Sequence, residues 1–256
     1  MHWVDQPVPA WARLVRAPNP GPMTLEGTNS WVLRSTPGEP AVVVDPGPDD
    51  PDHLHALAEC GPIAVVLVTH GHSDHVGGVE KFLTLTGASV PRLEPGVPTT
   101  LAGLRITALA TPGHSADSVC YLVEGDGQRA MLTGDTILGR GTTVVAWPDG
   151  DLGDYLDSLR RLADFAGVPV LPGHGPVLPD CAAVAEAYLA HRRERLAQVE
   201  AALSDGATTP AEVVARVYAD VDPALRQAAE WTVRAHMAYL RARRESPPGR
   251  SPLDSL

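Results

Sequence analysis

Six consecutive residues, His70-Gly71-His72-Ser73-Asp74-His75, hold four side chains able to bind a divalent cation. At the frequencies of His and Asp in this chain, such a run arises by chance on the order of one time in a thousand. Neutral imidazoles and carboxylates are ligands that Zn²⁺ and similar ions accept, and a catalytic ion needs three or four of them with a position left for water. On a locally extended backbone His70 and His72 point the same way and can share one ion. Asp74 and His75 lie beyond that pair and can reach a second. Each ion is then one or two ligands short. Three later segments can supply them: Thr111-Pro112-Gly113-His114-Ser115, Thr133-Gly134-Asp135-Thr136 and Pro172-Gly173-His174-Gly175-Pro176 each carry one ligand-type residue in a glycine-rich turn. Together the four segments offer five His and two Asp, enough for two ions with one ligand shared. The chemistry of such a pair is hydrolysis, because two ions ~3.5–4 Å apart lower the pKa of a shared water toward ~7 and polarise the substrate oxygen. Two divalent ions against two carboxylates leave a local positive charge that attracts a carboxylate, a thioester conjugate or a phosphodiester.

Such residues need a frame that brings them to one edge. Apolar runs rich in β-branched residues at 30–33, 41–44, 63–68, 104–108, 119–123, 130–132 and 168–171 predict strands, most of them bounded by Gly, Pro or Asp. Helical spacing falls at 50–59, 78–86 and 153–165, the last with Asp151 as a cap. Strands interleaved with helices predict an α/β layer protein whose site lies at the carboxyl edge of its strands. After Pro179 the pattern turns helical: 182–203 read as one long helix, and Thr209-Pro210 and Asp222-Pro223 each read as a cap followed by proline in the first turn. The expected division is a catalytic domain over 1–179, a C-terminal helical domain over 180–245 and a flexible tail over 246–256.

Composition limits the function classes. The 256 residues are 44% hydrophobic and 20% charged, as in globular chains, which excludes a disordered or collagen-like protein. Residues 181–256 hold ten Arg and ten Asp or Glu, so the whole net charge of −11 falls on residues 1–180, and a broad basic nucleic-acid surface is not expected there. No run of ~18 apolar residues and no basic-then-apolar leader is visible, so neither a membrane span nor a signal peptide is expected. Three cysteines without CxxC spacing fit a reducing cytoplasm. His53 and His55, on the helix at 50–59, are expected to be exposed or capping residues. Trp31, Trp147, Tyr155 and Trp231 are expected in or beside the core, with Trp147 a candidate to stack on substrate. Arg192, Arg193 and Arg195 with Glu194 read as a solvated helix face, near enough in sequence to His174 to grip an anionic substrate.

The quoted segments resemble the motifs of the metallo-β-lactamase superfamily, in order and approximate spacing. The resemblance implies an αββα sandwich with a small C-terminal helical, winged-helix-like domain. It assigns His70, His72 and His114 to a first metal and Asp74, His75 and His174 to a second, with Asp135 bridging, and it implies two divalent ions, zinc by default. Asp74 is then expected to orient the nucleophilic water as well as to bind metal. An Asp at the bridging position is more similar to the glyoxalase and nuclease branches than to true β-lactamases. Residues 19–29, 134–143, 154–159 and 174–177 resemble the beta-lactamase-like protein 2 branch, whose animal mitochondrial member is an endoribonuclease on single-stranded RNA. That branch implies RNA as substrate; Thr142, Arg192 and Arg195 are the expected substrate contacts. The alternative is hydrolysis of a thioester or lactone on the same metals, as in glyoxalase II; a β-lactam, or a non-catalytic binding module, is a further alternative. The segment 89–104 is shorter than the usual connection, and no strand-like run follows Arg244 to make a wing.

Overall fold

In the computed structural model, which describes residues 8–245, two sheets lie face to face between two layers of helices. The first sheet has the order β1 (Ala12–Arg16), β2 (Asn29–Leu33), β3 (Ala41–Val44), β4 (Ile63–Leu67). The second has the order β5 (Thr99–Leu101), β6 (Leu104–Ala110), β7 (Val119–Gly125), β8 (Gln128–Gly134), β9 (Val170–Pro172). Helices α1 (Pro51–Ala58), α2 (Ser73–Val76) and α3 (Val79–Thr86) follow the first sheet's strands. Helices α4 (Leu152–Leu162), α5 (Cys181–Ser204), α6 (Pro210–Val217) and α7 (Arg226–Glu245) belong to the second half.

Side-chain alternation along the strands builds this sandwich. In β3, Val42 and Val44 join Trp31, Leu33, Leu104, Ile106 and Leu132 between the sheets. The intervening Ala41 and Val43 turn to Leu54 and Leu57 of α1 and Phe82 of α3. Likewise Ala130 and Leu132 of β8 face the first sheet, while Met131 faces Leu152, Tyr155, Leu156 and Leu159 of α4. The same outer core continues through Val184, Leu189 and Leu196 of α5 to Val213 of α6 and Val233 and Leu240 of α7. Local signals agree with this packing. Asp151 caps α4 by accepting from the Asp154 amide, and Thr209 with Glu212 forms a reciprocal capping box on α6.

The αββα layers and the C-terminal helices are as the sequence implies. Two edge strands escape the hydrophobic pattern: β1, which carries Arg13 and Arg16, and the three-residue β5. The Asp222-Pro223 signal opens a single 3₁₀ turn that runs into α7. All three cysteines are free thiols. The tail expected over 246–256 lies outside the described residues. Among the described residues no helix is long and apolar enough to cross a membrane.

Two pairs of strands are parallel, β3–β4 and β8–β9, and their crossovers run through α1 and α4. The chain therefore leaves β3, β4, β8 and β9 at one edge of the sandwich, and β6 ends at the same edge. Asp45 follows β3, His70 follows β4, His114 follows β6, Asp135 follows β8 and His174 follows β9.

Candidate metal centre and adjoining cavity

The seven ligand-type residues, spread over more than 100 positions, meet at this edge. His70 Nε2 lies 3.0 Å from His72 Nδ1, which lies 3.1 Å from His114 Nε2. Asp74 Oδ2 lies 3.1 Å from His174 Nε2, and His75 Nε2 lies 3.2 Å from the same atom. Asp135 stands between the two groups, with Oδ1 3.4 Å from both His75 Nε2 and His174 Nε2 and Oδ2 3.8 Å from His114 Nε2. In each triad, His70–His72–His114 and Asp74–His75–His174, the ligand atoms lie within 4.8 Å of one another.

The far sides of the rings fix which nitrogen faces inward. His114 Nδ1 is 2.7 Å from the Val144 carbonyl, His174 Nδ1 is 3.2 Å from the Gly27 carbonyl and His75 Nδ1 is 2.8 Å from Asp45 Oδ2. Each of these acceptors requires a proton on Nδ1, which leaves the Nε2 lone pair free to bind a cation. His70 follows by elimination. The Thr69 hydroxyl donates to Asp45 Oδ2 at 2.7 Å, so at 3.1 Å its oxygen accepts from His70 Nδ1. Asp45 thus orients both His75 and His70, and it also accepts from the Thr69 amide. Asn29 holds the His174 turn, its side-chain amide donating to the Pro172 and Gly175 carbonyls.

Electrostatics agree with a cation site. Burial, reinforced by neighbouring His75, pushes the His70 imidazole down to about 2, so it is uncharged and able to offer a lone pair to a cation. Burial also lowers His114, against the pull of Asp135. Burial alone would raise Asp74, yet the His174 hydrogen bond and the His75 charge hold it at about 2. Burial opposes charge on Asp135 too, and His174, His75 and His114 outweigh it and keep that carboxyl well below its ordinary range. His75 is raised against burial by Asp135 and Asp45, and His174 against burial by Asp135 and Asp74. Two carboxylates that draw protons onto neighbouring imidazoles are a donor set short of positive charge. Asp135 Oδ1 is buried with no hydrogen-bond partner, which a cation between the triads would correct.

Glycine is required where the backbone touches this cluster. A Cβ on Gly173 would sit 2.7 Å from His75 Cε1 and 2.8 Å from Asp135 Oδ1. Gly134, at φ +47°, packs on Thr69, where a Cβ would sit 2.4 Å from Oγ1.

A cavity of about 290 Å³ runs from His114 and Asp135 to the C-terminal helices. One wall holds Leu138, Thr142 and Val144; the other holds Tyr218, Val221, Leu225 and Ala229. A second hollow, lined by Met23, Trp147 and Trp231, opens over His72, Asp74 and Asp135. Trp31 and Tyr155 are buried in the core, and Trp147 and Trp231 are half-buried at this mouth.

Two expectations fail. His53 is buried, its Nε2 2.9 Å from Ser30 Oγ beneath the Gly47 turn, because it shares the inward face of α1 with Leu57; His55 alone is exposed. The arginines of α5 do not form a solvated face. Arg193 is exposed, but Arg195 is turned to α6, donating to the Val217 carbonyl and lying over the Tyr218 ring. Arg192 is 2% exposed and donates to the Thr143 carbonyl. Arg192 and Thr142 line the cavity; Arg195 is not part of its wall. Sequence reasoning missed Asp45, although Asp45-Pro46-Gly47 follows a strand as Asp135 does.

The family model of the metallo-beta-lactamase superfamily matches residues 23–94 and 86–174, and that of the beta-lactamase associated winged helix domain matches 209–244. A Caenorhabditis elegans protein named beta-lactamase-like protein 2 homolog is 32% identical over 236 residues, covering 82% of this chain and 77% of that protein. An atrochrysone carboxyl ACP thioesterase of Passalora fulva is 33% identical over 239 residues, covering 84% of this chain and 70% of its own length. The crystal structure of a metallo-beta-lactamase family protein from Thermus thermophilus covers 94% of this chain and 97% of its own at a TM-score of 0.73 and 24% identity, a likeness of fold. The chain belongs to the metallo-beta-lactamase superfamily and is a hydrolase of that superfamily.

Proposed function

We propose that this hydrolase cleaves thioesters at a pair of divalent ions, zinc by default, and seats the acyl group in the cavity beneath the C-terminal helices. The observation that carries the reading is the cavity itself. It leads directly from His114 and Asp135 into a wall of Leu138, Val144, Val221, Leu225 and Ala229, a lining suited to a small, mainly hydrocarbon group. The thioesterase relative adds support by resemblance.

His70, His72 and His114 would hold one ion and Asp74, His75 and His174 the other, with Asp135 between them. When bound, the ions supply an activated water and polarise the thioester carbonyl. The remaining work belongs to the chain. Asp45, Thr69 and the Val144 and Gly27 carbonyls fix the ring orientations. Asp74, which lines the open hollow, turns Oδ2 to His174 and His75, while its Oδ1 makes no hydrogen bond among the described residues. In this reading that oxygen would accept a proton as water adds to the carbonyl carbon, and return it to the thiolate as the C–S bond breaks.

Cleavage of single-stranded RNA is the second reading, favoured by similarity to the beta-lactamase-like protein 2 homolog. Against it stand the acidic excess of residues 1–180 and the engagement of Arg195 with the Val217 carbonyl. Turnover of acyl thioesters, lactones, a chromogenic β-lactam and single-stranded RNA by zinc-loaded protein tests both. Thioester turnover well above the others is the expected result. RNA cleavage that depends on the metals, with inert thioesters, would replace the first reading by the second.

A further inference from the structure

Arg192 lies mid-way along α5 and is one of the residues that line the cavity. The group stays charged at any working pH. Burying such a charge without a counter-ion is costly, so buried arginines are ordinarily paired with carboxylates. Here the neighbours are neutral. Nη2 donates to the Thr143 carbonyl, and the guanidinium carbon lies 5.3 Å from the centre of the Tyr155 ring. The ion pairs among the described residues do not include Arg192, and its buried Nε has no hydrogen-bond partner. His236 close by supplies no negative charge; burial, with Arg192 adding to it, holds that imidazole neutral. The one carboxylate in the cavity wall is Asp135, which belongs to the metal cluster.

A cavity lined largely by hydrocarbon, with a hydrolytic centre at one end and two arginines in its wall, of which Arg140 is paired with Glu26 and Arg192 has no ion pair, is shaped for a ligand of matching polarity. We infer that the substrate's acyl chain carries a carboxylate, seated on Arg192 and within reach of the Thr142 hydroxyl and His191, which line the same space. The inference rests on the thioester reading and narrows it to acyl groups bearing an acid away from the scissile carbonyl. A carboxylate fits because it accepts charge-assisted hydrogen bonds from the guanidinium and supplies the negative charge that Arg192 lacks.

The test compares thioesters of equal chain length, succinyl with butyryl and glutaryl with valeryl, on the zinc-loaded enzyme. One charge-assisted hydrogen bond predicts a kcat/KM ratio favouring the ω-carboxyl member by roughly tenfold to a hundredfold. Arg192→Met should bring that ratio to one or below, and Arg192→Lys should restore part of it. A wild-type ratio at or below one, with the neutral thioesters turned over, overturns the inference and leaves thioester hydrolysis standing. If neither kind of thioester is turned over, the thioester reading fails. The anion site is then judged by thermal stabilisation of the metal-loaded protein with free glutarate against neutral valeramide. Saturable stabilisation by glutarate that Arg192→Lys keeps and Arg192→Met loses retains the site, and its absence in wild type removes it. Should Arg192→Met not fold, the wild-type ratio and the lysine variant still decide.

Discussion

Asp45 and His75, 30 residues apart, are joined inside the protein by a 2.8 Å hydrogen bond between Oδ2 and Nδ1. The same carboxylate oxygen accepts from Thr69, whose hydroxyl oxygen receives His70 Nδ1. One residue outside both ligand triads therefore sets the direction of a ring in each. Replacing Asp45 by Asn removes the charged acceptor, and the backbone survives because Asn tolerates the left-handed φ of +53° found there. Loss of such an outer partner weakens metal binding by about 10- to 100-fold. Chelator competition on Asp45→Asn should show both ions weakened; a loss confined to one ion would break the proposed relay through Thr69.

The metal content itself is the second expectation. Zinc-reconstituted protein should bind two ions per chain, since the two triads together have more ligand atoms than one tetrahedral ion uses. Asp135→Ala should release both ions and abolish hydrolysis, because Asp135 has one oxygen toward each triad. Elemental analysis checks this, and a variant that retains two ions would show that Asp135 does not bridge.

Gly173→Ala addresses the same cluster from the backbone. Its Cβ would press on His75 and Asp135 at 2.7 and 2.8 Å, distances that force both side chains to move. The expected protein is folded by circular dichroism and binds both ions more weakly, the second, which also loses the position of His75, more than the first. Wild-type stoichiometry and rate in this variant would mean that the turn has room the structure does not show.

A pH dependence follows from His236, which is buried and held at about 4 chiefly by burial, with the Thr232 carbonyl opposing and Arg192 reinforcing. The folded state disfavours the proton that the unfolded chain accepts near 6.5. Its contribution to stability is thus complete above that pH and is lost as pH falls toward 4, on the order of 3 kcal/mol across the window. Urea unfolding of wild type and His236→Gln at pH 7 and pH 4.5 isolates the effect from acid release of metal, which both proteins share. The gap between the two proteins should shrink at the lower pH; a constant gap would sink the assignment.

What the sequence made legible was local. The candidate ligands stand out because four sit in six residues and the other three occupy glycine turns beside strands, signals that need no knowledge of packing. Asp45 carries the same signal in Asp45-Pro46-Gly47 and escapes notice because its partners, Thr69 and His75, are distant in the chain. His53 and Arg192 mislead through their residue type, although spacing places both inward. His53 stands four residues before buried Leu57, and Arg192 stands four from each of buried Tyr188 and Leu196. A charged residue on a buried stripe reads as an exception until the cavity beside it is seen. The edge strand β1 is hidden because its exposed positions carry Arg13 and Arg16.

The cavity draws its two sides from parts of the chain with different duties. Its reactive end is built from strand-terminal turns in which almost any change disturbs a ligand. Its far side comes from Tyr218, Val221, Leu225, Ala228 and Ala229, none of which touches the metal cluster. Enlarging Ala228 or Ala229 would shorten the chamber, and trimming Leu225 would lengthen it, with the hydrolytic apparatus left as it is. For the acyl thioester proposed as substrate, the fold would thus act as an adjustable ruler of chain length, one that descent with modification can reset one side chain at a time.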